Sequence, residues 1–275
     1  MVITDIAWVG DSHRIMVVGD GKEVFGAVFV WDAGSSVGEI SGHTKTLVSG
    51  DFKQARPFRI ATGGEDSQVN WFEGPPFKFK KSIRDHSRMV TCIRFSPDGN
   101  LFATCGTDKK IAVYDGKEGS KVAEFEGHKG GVYGLSWAPD SQRLMSVSAD
   151  KTAAIWEAPT GQELARFQFG GPKAGTEHQQ LGCIWAGNVL ISVNLEGEIS
   201  YLDAASTAAP ARVITGHNKA ITALATDGGN TIYTGSYDGK IVRWNASTGE
   251  TEAFVGVGHT NQIAQMTIQN GFLIS

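Results

Sequence analysis

Cysteine, proline, long apolar runs and charge of one sign are all scarce in this chain, and each scarcity removes a class of protein. The 275 residues carry 25 Lys and Arg against 29 Asp and Glu, a net charge of −4. No basic run stands out, so neither a nucleic acid nor an anionic membrane is expected as a partner. No apolar stretch approaches the roughly 18 residues of a membrane span. Met1-Val2-Ile3-Thr4-Asp5 lacks the basic region that opens a secretory signal. The three cysteines, Cys92, Cys105 and Cys183, form no CxxC pair and no repeated spacing. An odd, sparse count fits free thiols in a reducing compartment, and a cytoplasmic protein is expected. HxxxH, HExxH and GxSxG patterns are absent, and no glycine loop leads into a helix. No enzyme activity, catalytic residue, metal, cofactor or small-molecule substrate is therefore expected. Only 8 prolines stand against 35 glycines, a balance that suits short strands and tight turns.

What the chain does have is repetition. A dipeptide ending in His recurs as Gly42-His43, Asp85-His86, Gly127-His128, Gly216-His217 and Gly258-His259. The His-to-His steps are 43, 42, 89 and 42, the long one being two periods with a member missing. A second marker keeps phase with it: Trp31-Asp32, Phe72-Glu73, Tyr114-Asp115, Trp156-Glu157, Leu202-Asp203 and Trp244-Asn245. Two locked markers at a period in the low forties are the signature of WD40 repeats. The fold class predicted is all-β: six four-stranded WD40 β-propeller blades and a partial seventh.

Residues 128–165 show the unit most clearly. Strands are expected at Val132–Trp137, Arg143–Ser148, Thr152–Trp156 and Glu163–Phe169, joined by turns at Pro139-Asp140-Ser141, Ala149-Asp150-Lys151 and Ala158–Gln162. In such repeats a His, a hydroxyl at the end of the second strand, a turn Asp and a Trp form a buried hydrogen-bonded chain. Complete sets are His128, Ser148, Asp150, Trp156 and His217, Ser236, Asp238, Trp244. The blades opened by His43 and His86 keep Asp66 and Asp108 but have Gly64 and Gly106 at the serine position. With five of the seven His explained by the repeat, only His13 and His178 remain, both in polar, turn-like surroundings.

The blades divide as 1–42, 43–85, 86–127, 128–175, 176–216, 217–258 and a stub, 259–275. The fifth is degenerate. The stub should hold one strand, Ile263–Ile268, and it stops at Leu273-Ile274-Ser275, where a second strand should begin. The chain is thus expected to be a fragment with an unpaired edge.

Departures from the plain repeat are candidates for function. Asp20-Gly21-Lys22-Glu23-Val24-Phe25-Gly26 lengthens the turn between second and third strands, either as a solvated hairpin or as a binding loop. In the equivalent turn of the next blade Asp66 reads as the structural acid and Glu65 as exposed. In Phe72-Glu73-Gly74-Pro75-Pro76-Phe77-Lys78-Phe79-Lys80-Lys81, alternation places Phe77 and Phe79 on one side. They either pack on the neighbouring blade or form a contact patch.

These segments carry a resemblance. Phe25–Phe29, Trp31–Ile40 and Phe72–Lys80 resemble the actin-interacting protein 1 family, as do Asp85-His86-Ser87-Arg88, Tyr114-Asp115-Gly116-Lys117, Gln179–Cys183 and Gly258–Gln262. The likeness runs along nearly the whole chain. It implies two seven-bladed propellers in a protein of roughly 600 residues, at about 40 residues a blade. It also implies actin filaments and cofilin as partners, promotion of cofilin-dependent filament disassembly, restraint of barbed-end regrowth, and a place in the cytoplasmic actin cytoskeleton. In that register 1–203 would be about five blades of a first propeller, 204–216 the junction, and 217–275 the start of a second. Counting alone would instead make 1–275 one incomplete seven-bladed ring. The resemblance assigns actin and cofilin contact to Glu23, Glu65 and Phe79; the family more often has Asp at the position of Glu65. The alternatives are a generic WD40 interaction scaffold, such as a ubiquitin-ligase substrate adaptor, and a propeller enzyme.

Overall fold

The computed structural model describes residues 2–171, 174–207, 209–254 and 258–275. Its strands pair, in chain order, as six four-stranded antiparallel sheets and one two-stranded hairpin. The chain falls into two compact units, 1–127 and 128–275.

Unit 1 holds three blades. The first is built from Ile3–Trp8, Arg14–Gly19, Gly26–Val30 and Ser36–Ile40, and the second from Leu47–Phe52, Arg59–Gly64, Val69–Glu73 and Lys78–Ile83. The third is built from Val90–Phe95, Leu101–Gly106, Lys110–Asp115 and Lys121–Glu126. Burial falls from the inside outwards. In the third blade, Ile111, Ala112, Val113 and Tyr114 are all buried, while the outer strand buries only Phe125. A strand covered on both faces has no polar side to show, so it reads as a continuous apolar run. The exposed outer strand can carry Lys and Glu.

The inner strands of the three blades stand side by side in the same direction. Thr4 Oγ1 donates to the Leu47 carbonyl at 2.6 Å. Gln54 Nε2 donates to the Trp8 carbonyl at 3.2 Å. The Ile93 and Phe95 amides donate to Ser49 Oγ at 3.1 Å and Asp51 Oδ2 at 2.7 Å. Corresponding turns of these blades therefore emerge at the same end of the unit. Between the first and second blades lies an apolar cluster including Met16, Val18, Val28, Phe52, Ile60, Phe72 and Phe77. A Cβ on Gly38 would stand 2.8 Å from that of Phe77, so glycine is what lets the second blade close onto the outer strand of the first.

Unit 2 repeats the pattern with Val132–Trp137, Arg143–Ser148, Thr152–Glu157 and Gln162–Gln168; with Gln180–Ala186, Val189–Asn194, Glu198–Leu202 and Arg212–Thr215; and with Ile221–Thr226, Thr231–Ser236, Ile241–Asn245 and Thr251–Ala253. A 3-10 turn, Thr176–His178, precedes the second of these blades.

Three expectations need adjusting. The segment expected as a junction, 204–216, contains Arg212–Thr215, which pairs with Glu198–Tyr201 as the outer strand of the fifth blade; Ala208 lies outside the described residues. The stub forms its strand at Thr267–Gln269, not Ile263–Ile268, and folds back through Phe272–Ile274. Ile263 and Met266 are buried against Ala223 and Ala225 without being strand residues; the Ile263 carbonyl accepts from Thr222 Oγ1 at 2.6 Å and its amide donates to the Ser236 carbonyl at 3.3 Å. Finally, Phe77 and Phe79 part company. Phe77 precedes the strand, bridges Gly38 of the first blade and is buried on Phe52, whereas Phe79 lies within the strand opposite Phe72 and is about half exposed. The cysteines lie outside any disulfide and are buried. Among the described residues no helix is long and apolar enough to cross a membrane.

Candidate functional site

The hydrogen-bonded chain runs through a different hydroxyl from the one the sequence pattern suggests. In the fourth blade Trp156 Nε1 donates to Ser146 Oγ at 2.7 Å, and Ser146 Oγ is 2.7 Å from His128 Nε2. His128 Nδ1 is 3.1 Å from Asp150 Oδ2. An ionised carboxylate can only accept, so Nδ1 carries the proton and Nε2 accepts from serine. Burial alone would raise the Asp150 pKa, but hydrogen bonds from His128, Thr152 and the Lys129 amide hold it well below the usual carboxylate range. Ser148, the expected bridge, instead accepts from the Asp150 amide at 3.1 Å and braces the turn.

The same position serves every blade that has the His. Thr62 Oγ1 lies 2.9 Å from His43 Nε2, Thr104 Oγ1 2.8 Å from His86 Nε2, and Thr234 Oγ1 2.6 Å from His217 Nε2. The signal was present in the sequence: at Ser148 and its equivalents two of four blades have glycine, whereas at Ser146 all four have a hydroxyl. In the fifth blade Ser192 bonds Gln180 Oε1, an amide standing in for imidazole.

Two blades vary the chain informatively. In the third, Tyr114 replaces Trp, and its hydroxyl donates to Asp85 Oδ2 at 3.1 Å. Asp85 stands where the other blades have the glycine before His, so the two exceptions to the markers explain each other. At Gly216 of the sixth blade a Cβ would meet the Trp244 ring at 2.2 Å; a full indole excludes the side chain that the smaller Tyr114 admits. In the sixth blade Trp244 donates to Thr234 at 2.7 Å, but Ser236 takes the Asp238 carboxylate and the buried His217 Nδ1 has no partner among the described residues. Burial pushes the pKa of His217 down, and nearby Asp238 only partly opposes it.

The candidate contact residues are not all brought together. Glu23 and Glu65 are exposed in equivalent turns, so both emerge at one end of unit 1. Phe79 pairs with Phe72, toward the other end of its sheet, and its ring meets Phe72 edge-on at 5.9 Å. The ring edge leans back: a Cβ on Gly42 would sit 3.3 Å from it. Phe79 thus flanks the connection ahead of His43 without reaching the turns. His13 is exposed, and His178 Nδ1 lies 3.0 Å from Glu177 Oε1. Among the described residues no cluster of three or more His, Cys, Asp or Glu could hold a metal ion.

The family model for the WD domain, G-beta repeat, matches residues 77–115, 119–157 and 208–245. The chain carries WD40 repeats. Each matched segment begins at an outer strand and ends with the third strand of the next blade. Over nearly its whole length the chain is similar to curated WD40 proteins. It is 51% identical to the 66 kDa stress protein of Physarum polycephalum over 99% of this chain and 46% of that protein. It is 51% identical to WD repeat-containing protein 1 of Xenopus tropicalis, over 98% of this chain and 45% of that one. Actin-interacting protein 1 of Drosophila melanogaster is 48% identical over 95% of this chain and 43% of its own length. The chain thus spans a little under half the length of these relatives. Among solved structures, the computationally designed Ika8 protein matches with a TM-score of 0.77 at 18% identity, over 98% of this chain and 79% of that one. That likeness concerns fold alone.

Within the WD40 frame, one polar cluster escaped the sequence reading. Asp5 Oδ2, on the first inner strand, accepts from Ser49 Oγ and the Gly50 amide, both at 2.9 Å, and lies 3.6 Å from Arg94 Nη1. Asp51 Oδ2 accepts from Phe95 N. Burial raises the Asp51 pKa to about 6, against the pull of Arg94 and two backbone amides. The cluster ties three consecutive blades together at their inner strands. Its signal was one charged residue in each of three otherwise uncharged inner strands, at Asp5, Asp51 and Arg94.

Proposed function

We propose that this chain is the part of an actin-interacting WD40 protein that contacts cofilin-decorated filaments and promotes their disassembly, with restraint of barbed-end regrowth. It acts by binding and not by catalysis, in the cytoplasm at the actin cytoskeleton. Its partners are actin filaments and cofilin. The observation that carries the reading is identity of about half over nearly the full chain to proteins that include one named actin-interacting protein 1. The exposed pair Glu23 and Glu65 at one end of unit 1 supports the choice of surface, with Phe79 as a flanking anchor. Within this reading the chain divides after its fifth blade, and 217–275 opens a second propeller; the greater length of the relatives leaves room for one.

The test is co-sedimentation with filaments, with and without cofilin, and imaging of filament loss. Glu23→Ala and Glu65→Ala should weaken binding to decorated filaments, more at low than at high salt. Because Phe79 also packs on Phe72, Phe79→Ala needs a melting control, and Phe79→Leu keeps most of the packing. An anchor aromatic is worth about 2 kcal/mol or more, so the Phe79 variants should lose more binding than Glu65→Ala. If the triple variant disassembles filaments at the wild-type rate in low salt, the surface is misassigned. If the wild-type protein ignores decorated filaments, the function itself is refuted.

A further inference from the structure

The end of unit 1 that bears Glu23 and Glu65 also bears cations, and the two signs are unevenly spread. The first blade presents Asp20, Lys22 and Glu23, the second Lys45 and Glu65, the third Arg88 and Lys109, all exposed. None of them forms an ion pair among the described residues. Cations on the third and outer strands of the third blade behave differently: Lys110 Nζ is 2.6 Å from Glu124, and Lys121 Nζ is 2.7 Å from Glu124 and 3.1 Å from Asp85. Acids near the end of the third blade are already engaged. Asp108 holds His86 at 3.0 Å, and Asp85 holds Tyr114 and Lys121. Two cations are left there without a carboxylate of their own.

The backbone sets them close. The Thr107 amide donates to the Met89 carbonyl at 3.0 Å, clamping the turn that carries Lys109 against the connection that carries Arg88. Lys109 has a φ of +74°, in the left-handed region. Glycine adopts that conformation without steric cost, as Gly239 does at the equivalent place with a φ of +81°. Lys151 shares the position with a φ of +66°, but its Nζ donates to the Ala174 carbonyl at 2.6 Å, a structural use. Lys109 has no such contact among the described residues, and it is exposed on a backbone that a glycine would make more easily.

We propose that Arg88 and Lys109 form a receiving site for a run of carboxylates, an acidic segment of the protein partner, beside the acids Glu23 and Glu65. The partner's identity rests on the filament reading above; the chemistry of the site does not. The change of sign from first blade to third fixes an orientation, with basic groups of the partner over Glu23 and acidic ones over Arg88 and Lys109. Opposed patches of this kind govern register and encounter rate more than gross affinity.

The experiment uses a short fluorescent oligo-glutamate peptide as probe, with oligo-glutamine and oligo-lysine controls, titrated with the 275-residue chain at low salt. The variants are Arg88→Ala and Lys109→Gly, alone and together; glycine relieves the turn, so the fold is retained, and melting confirms it. Wild type should bind oligo-glutamate over oligo-glutamine, and the double variant should bind it about tenfold more weakly, two exposed charges each contributing a few-fold. Charge reversal at both positions should abolish binding. Equal binding of glutamate by wild type and double variant, or no preference over glutamine, overturns the site while leaving the filament reading intact. Selective glutamate binding by a protein that ignores decorated filaments supports the site and refutes that reading.

Discussion

Ser146→Ala and Ser148→Ala make the sharpest comparison available in this fold. Both serines are fully buried, lie on one strand two residues apart, and would lose the same single oxygen. Ser146 Oγ is bonded on both sides, to His128 Nε2 and Trp156 Nε1, each at 2.7 Å. Removing it strands two buried polar atoms, at about 1–3 kcal/mol each, so a loss of about 3 kcal/mol is expected. Ser148 Oγ only accepts from the Asp150 amide, and its loss should cost about 1 kcal/mol. For a domain of this size the larger figure corresponds to a drop in Tm of about 6–12 °C. Ser146→Thr should recover most of it, because threonine occupies this position at Thr62, Thr104 and Thr234. Thermal melting and denaturant titration on Trp fluorescence measure all three. A Ser148→Ala variant as unstable as Ser146→Ala would refute the assignment of the bridge.

Other outcomes follow from the same geometry. Tyr114→Trp should be destabilising alone, since Asp85 blocks the larger ring, and less so combined with Asp85→Gly; a double-mutant cycle on melting should show a coupling above about 0.5 kcal/mol. In the sixth blade Ser236→Ala should cost little or even stabilise, because it frees Asp238 to pair with His217, whereas Thr234→Ala should cost about 2 kcal/mol; denaturation midpoints decide. Titration should show two opposite signs. The Asp51 pKa is raised from 3.8 to about 6, so the stability of wild type relative to Asp51→Asn should fall as pH rises through that window. Asp150 is depressed, so its contribution should be whole above pH 3.8 and be lost as pH falls below it; Asp150→Asn should flatten the acid limb.

The linear pattern was enough for the strands and their turns. Alternation and turn chemistry mark Val132–Trp137 and its partners almost to the residue, because each blade is local and built from short hairpins. The repeat phase also made His128 and Asp150 readable as partners before any coordinate. What the pattern left open was anything depending on where a distant side chain arrives. Ser146 and Ser148 have the same parity and face the same side of their strand, so strand geometry does not choose between them. The choice is made by a His128 ring that comes from 18 residues away and stops opposite Ser146. Phe77 and Phe79 likewise share a parity, but Phe77 lies ahead of the strand, where it bridges Gly38 and enters the gap between blades, while Phe79 pairs with Phe72 and stays half exposed. Asp51 has an ordinary sequence neighbourhood, and its raised pKa comes from the blades on either side, which remove its water and supply Arg94 and Asp5 as opposing charges. Periodicity sets which face a residue takes, and only the packing of one blade on the next decides what it meets there.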